Sequence, residues 1–181
     1  MSRLFNNIKS GIWEIIESLT FSLAIFSVVY LFLFMPMEVH GASSEPTLQE
    51  GDRFIIDKIS YRFDTPSRGD FVVIQSPQNP DVDFIKRIIG LPGEIISLQA
   101  GSVFINRNQL IEAYLPARVV TTPGSCLPEG KNLLIPAGYY FVMGDNRSHS
   151  SDSRSFCSIE GSKIIGRAVF RWWPPGRVGQ P

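Results

Sequence analysis

The chain has 181 residues, with 17 basic and 17 acidic side chains in balance. That balance gives no electrostatic case for a nucleic-acid binder, which carries a basic excess. Two cysteines and two histidines, with no CxxC or HxxxH spacing, exclude an ordinary Cys/His zinc site, so no metal is expected.

Ser18 to Met37 reads SLTFSLAIFSVVYLFLFMPM, without a charged residue. Twenty residues at about 1.5 Å each span about 30 Å, the thickness of a bilayer's hydrocarbon core. The stretch is apolar on every face, unlike a surface helix. It is longer than the apolar core of a cleavable signal and follows Glu14 and Glu17, so it reads as an anchor in a lipid bilayer rather than a removed leader. Arg3 and Lys9 precede it, and the first basic residue after it is Arg53. This bias puts the N-terminal segment, residues 1–17, in the cytoplasm and residues 38–181 on the extracytoplasmic side of a cell or internal membrane.

Beyond the anchor the pattern is of short strands and turns. Strands are expected at 53–59, 71–74, 84–89, 95–98, 103–105, 139–143 and 164–173, with Ala100-Gly101 as a turn. Residues 112–134 look irregular and 144–155 form a polar loop. Trp172 and Trp173 read as core. The fold class is mainly β, an antiparallel domain behind one transmembrane helix. If 84–89 is a strand, Phe84, Lys86 and Ile88 share one face, and Ile85, Arg87 and Ile89 the other. Lys86 then lies between two apolar neighbours.

Three segments carry chemistry: Gly41-Ala-Ser43-Ser44-Glu-Pro46-Thr-Leu48 with Gly51-Asp52; Phe84-Ile-Lys86-Arg87 leading to Gly90-Leu-Pro-Gly93; and Gly144-Asp145-Asn-Arg147-Ser-His-Ser150-Ser-Asp152-Ser-Arg154. In this order they resemble the serine, lysine and third boxes of type I signal peptidases. The resemblance implies that Ser43 is the nucleophile and Lys86 its general base. A lysine can serve only if neutral; from a free pKa near 10.4 to working pH the required bias is about 4 kcal/mol. Burial can supply it.

The resemblance further implies oxyanion donors at the Ser43 N–H and, through backbone alone, at Gly41. It implies that the Ser150 hydroxyl holds the lysine amine. Asp145, Arg147, Asp152 and Arg154 are expected to shape the site, Asp145, Asp152 and Arg154 through a buried ion pair. The substrates would be signal peptides of exported preproteins, bound as an added strand with small Ala-x-Ala side chains before the cut. No cofactor is needed.

His40 and His149 belong to no box and read as loop histidines rather than members of a Ser-His-Asp triad. Ser44 departs from the family, which nearly always has methionine there. That change gives the alternative of an inactive or altered-specificity paralogue that binds exported chains. Phe156-Cys157 also replaces a common Trp-Gly pair. Pairing of Cys126 with Cys157 stays open.

Overall fold

The structure, a computed structural model, describes residues 2–117 and 119–181. Helix α1 runs Ser2–Leu33 and contains one 20-residue stretch, Gly11–Tyr30, long and apolar enough to cross a membrane and unburied by the rest of the chain. The apolar run was expected to be helical to Met37. The helix instead ends at Leu33, and its last residues become strand β1, Phe34–Glu38. Pro36 cannot supply the N–H that a continuing helix needs.

Ten further strands follow: β2 Arg53–Asp57, β3 Phe71–Gln75, β4 Asp83–Gly90, β5 Ile95–Gln99, β6 Ser102–Ile105, β7 Asn108–Gln109, β8 Asn132–Leu134, β9 Tyr139–Met143, β10 Ile159–Glu160 and β11 Ile164–Trp173. One short helix, α2 Ser153–Phe156, lies between β9 and β10. Among the described residues the strands form two sheets, ordered β1-β2-β11-β3-β4-β9-β10 and β7-β6-β5-β8. Every pairing is antiparallel. The mainly β expectation therefore holds. β8 falls inside the segment expected to be irregular.

The turns follow from local chemistry. Ala100 and Gly101 join β5 to β6 with φ of 48° and 75°, as a two-residue hairpin requires. Apolar residues alternate with a period of two and fill both faces of the large sheet. Phe71, Val73 and Ile85 pack with Phe54, Ile56, Leu48 and Val39 on one side. Val72, Ile74 and Ile88 pack with Tyr140 and Val142 on the other. A third cluster, including Ile89, Ile96, Leu98, Phe141 and Met143, joins the two sheets. Trp172 and Trp173 are exposed, not core; the Arg53 guanidinium covers the Trp172 ring.

Candidate active site

β1 and β2 pair along their whole length, Phe34 opposite Asp57 to Glu38 opposite Arg53. The chain between them makes an excursion, residues 39–52, that carries the first box. Its base is pinched by Val39 N–H to the Asp52 carbonyl at 2.8 Å and Gly51 N–H to the Val39 carbonyl at 2.9 Å. The buried Asp52 carboxylate accepts from Arg171 at 2.9 Å and Arg177 at 3.0 Å. Leu48, fully buried, plugs the excursion into the core. Ser43 projects from the turn at its tip.

β4 supplies Lys86, which is 2% exposed. Its Nζ lies 2.7 Å from Ser43 Oγ and 5.3 Å from the centre of the Phe84 ring. Burial is the main cause that brings the amine down from 10.5 to about 8. Asp152 acts the other way and Arg154 with the burial. These two are themselves a pair, 2.7 Å apart. A neutral amine this close to a hydroxyl can accept its proton.

The third box braces this contact. Asn146 N–H donates to the Ser43 carbonyl at 3.1 Å, and its Nδ2 donates to the Ala42 carbonyl at 2.9 Å. Gly144 permits the approach: a Cβ there would overlap the Ser43 carbonyl oxygen and Ser150 Oγ. Asp152, fully buried, receives the Gly144 N–H at 3.1 Å and grips Arg154 through Nε at 2.8 Å and Nη2 at 2.7 Å. Arg154 in turn donates to the Arg147 carbonyl at 2.6 Å. Buried charges persist only when paired in this way.

The buried acids of the third box take separate partners. Asp152 binds Arg154, whereas Asp145 binds Arg87 in a two-pronged contact at 2.9 and 2.7 Å. Asp145 also accepts from Thr47 Oγ1 at 2.6 Å, which ties the first box to the third. The Arg87 guanidinium is sandwiched between the rings of Phe71 and Tyr114, 3.9 Å from each centre. Arg147, buried, pairs with Glu112 and donates to Thr121 Oγ1 at 2.8 Å. Glu112, Tyr114 and Thr47 were not foreseen as members of this network.

Ser150 departs from expectation. Its Oγ is buried without a hydrogen-bond partner and does not hold the lysine amine. The Lys86 amine is bonded to Ser43, while the Ser150 hydroxyl packs against the Gly144 backbone. Gly41 is exposed, with φ of 79°, and brings only backbone to the site. His40 and His149 are exposed; the His149 ring bonds to Ser148 at 2.8 Å. Ser44 is buried, and its hydroxyl donates to the Ile85 carbonyl at 3.1 Å. Cys126 and Cys157 form a disulfide across 31 residues. It stands behind the third box, where the Cys126 N–H donates to the Arg154 carbonyl at 2.7 Å. Among the described residues no three His, Cys, Asp or Glu converge to hold a metal.

The family model for signal peptidase, peptidase S26, matches residues 12–173. A signal peptidase I of Leptolyngbya laminosa is 39% identical over 180 residues, covering 96% of this chain and 83% of that protein. A probable signal peptidase I-1 of Synechocystis is 35% identical over 179 residues, 93% of this chain and 88% of that one. Signal peptidase IB of Staphylococcus aureus is 32% identical over 177 residues, 92% of each. The crystal structure of a signal peptidase I from Enterococcus faecalis aligns with a TM-score of 0.49 at 31% identity, over 57% of this chain and 97% of that one. The chain therefore belongs to the signal peptidase family, peptidase S26.

Proposed function

We propose that this chain is a membrane-anchored serine endopeptidase that removes N-terminal signal peptides from exported preproteins, with Ser43 as nucleophile and Lys86 as uncharged general base. The observation that carries the reading is the 2.7 Å contact between the Ser43 hydroxyl and a buried amine. Lys86 takes the Ser43 proton as Oγ attacks the scissile carbonyl. The oxyanion of the tetrahedral intermediate meets the Ser43 N–H and a backbone donor at Gly41. The resulting ammonium then protonates the leaving amine, and an acyl-enzyme remains. Water, deprotonated by the same lysine, releases the acyl group. Neither a metal nor a cofactor takes part.

Substrate recognition follows from an open strand. Residues 83–86 of β4 pair with β3 on one side, while β9 meets β4 only from Arg87 to Gly90. An extended chain with small Ala-x-Ala side chains adds there as a further strand beside Ser43, through the outward backbone groups of Asp83 and the Ile85 N–H, since the Ile85 carbonyl already accepts from Ser44. The apolar helix α1 anchors the domain in the bilayer, with its N-terminus cytoplasmic and the site on the extracytoplasmic face, where signal peptides emerge.

The test is cleavage of a preprotein by the full chain in detergent or vesicles, with mass spectrometry of the new N-terminus. Ser43→Ala and Lys86→Ala should each lose activity by more than about 1000-fold. Cleavage that survives Ser43→Ala would remove the nucleophile from the scheme.

A further inference from the structure

The Ser43–Lys86 contact has a companion one residue further along both strands of chain. Ser44 follows the proposed nucleophile, and Ile85 precedes the proposed base. The Ser44 hydroxyl donates to the Ile85 carbonyl at 3.1 Å, beside the 2.7 Å contact between Ser43 and Lys86. The two contacts form successive rungs between the excursion and β4.

The second rung lies in a dry place. Ser44 is 1% exposed and Ile85 6%. The orientation of β4 makes the Ile85 carbonyl available. Ile88 exchanges both backbone bonds with the β3 side, its N–H to Asp70 and its carbonyl to Gly69. Strand alternation then turns the backbone groups of Lys86 toward β3 and those of Ile85 away, toward the excursion. Ser44 reaches that outward carbonyl. A hydrogen bond sealed from water is directional and costly to leave unmade. The next ties from the nucleophile turn, through Asn146, come from the third box and do not touch β4.

We infer that Ser44 is a positioning residue that docks the nucleophile turn onto β4 and so sets the distance between the Ser43 hydroxyl and the Lys86 amine. The inference rests on the peptidase reading given above. In this chain the serine that replaces a methionine is thus a strut, not a spare nucleophile and not a mark of lost activity. Without the strut, the Ile85 carbonyl is left bare and the turn is free to slide along β4. The proton transfer suffers, while substrate still finds its strand edge.

The experiment compares full-length wild type with Ser44→Ala and Ser44→Cys, a variant of similar size with a weaker donor. Preprotein cleavage is followed with kcat and KM separated, alongside thermal unfolding. A second assay reads the dyad without any preprotein, as the rate at which an activated acyl ester acylates Ser43. For Ser44→Ala, kcat and the acylation rate should both fall about 10-fold with KM within about twofold, and Ser44→Cys should fall between. The inference is overturned if Ser44→Ala keeps both rates, if it changes KM alone, or if the loss of rate only matches a loss of folded protein. A wild type that acylates in a Ser44-dependent way yet cuts no preprotein would overturn the substrate assignment and leave the strut standing.

Discussion

Lys86 and Arg87 are consecutive residues of β4 with opposite electrostatic surroundings. Lys86 turns into an apolar niche and meets a hydroxyl at 2.7 Å; Arg87 turns to the other face and is bound by a carboxylate at 2.9 and 2.7 Å between two aromatic rings. Strand alternation alone separates them. One cation is starved of counter-charge and the other saturated with it, a few ångströms apart. A proton-accepting lysine can therefore sit beside a permanent cation without that cation's partner reaching it.

The first prediction concerns pH. The amine is held at about 8 against 10.5 in a free lysine. Above about 10.5 both folded and unfolded chains carry it neutral, and it costs the fold nothing through this linkage. Between about 8 and 10.5 only the unfolded chain binds the proton, so stability falls as pH drops through this window. Below about 8 the full cost, about 3 kcal/mol, is present. Lys86→Met should thus be inactive yet more stable than wild type at pH 7, with the gap shrinking toward pH 10. Urea unfolding at a series of pH values checks this; a gap independent of pH would refute it. Activity of the wild type should rise through pH 8.

Asp145→Asn is expected to destabilise by about 3–5 kcal/mol, because it leaves the Arg87 guanidinium buried without its anion. It also weakens the acceptor for Thr47, so the first box should loosen from the third. Urea midpoints measure the first effect. Faster limited proteolysis within residues 39–52 measures the second.

Gly144→Ala should cost activity far more than stability. The added Cβ meets the Ser43 carbonyl, which is one of the points where the third box holds the turn that carries Ser43. We expect kcat/KM to drop by about 100-fold or more, with a loss of about 1–3 kcal/mol in unfolding free energy. A variant that unfolds outright, or one that cuts at the wild-type rate, contradicts that reading of the contact.

Ser150→Ala removes a buried hydroxyl that makes no hydrogen bond. Its stability should be no lower than that of wild type and up to about 1–3 kcal/mol higher, because an unpaired buried hydroxyl costs the fold. A large fall in kcat with undiminished stability would show that this hydroxyl turns to the lysine during turnover, as the family resemblance implies.

The double variant Cys126→Ser with Cys157→Ser should lose about 3–4 kcal/mol, the loop-closure effect expected for 31 residues. Matched urea titrations with and without reductant on the wild type give the same comparison without mutation.

Much of this site was legible in the sequence because it sits in three contiguous boxes and Lys86 lies on a strand of simple alternation. A period of two by itself puts Lys86 on one face with Phe84, whose ring lies 5.3 Å from the amine. The partners of the arginines were less accessible. Arg87 finds Asp145 because β9 pairs with β4 so that Arg87 lies opposite Met143, two residues before the acid. That register is a tertiary fact, and spacing along the chain points instead to Asp152 and Arg154. Glu112 and Tyr114 were hidden for the same reason. They lie in a segment with no periodic pattern, and only packing brings them to Arg147 and Arg87. β1 was masked by composition, since its apolar residues continue the hydrophobic run of α1 without a break.

That seamless passage from α1 into β1 has a mechanical outcome. Leu33 closes the helix and Phe34 opens a strand already locked to β2, so no slack separates the helix from the strand that leads to Ser43, ten residues on. On the membrane-anchored reading, the fold works as a depth gauge. The cutting edge stands at a fixed height over the lipid, and a preprotein is cut where its own chain, measured up from the bilayer, first reaches that height. One residue inserted at the junction would have to rotate the rod by about 100° or shift the strand by a whole step. Such an insertion should move or abolish the cut even though every side chain of the site is untouched.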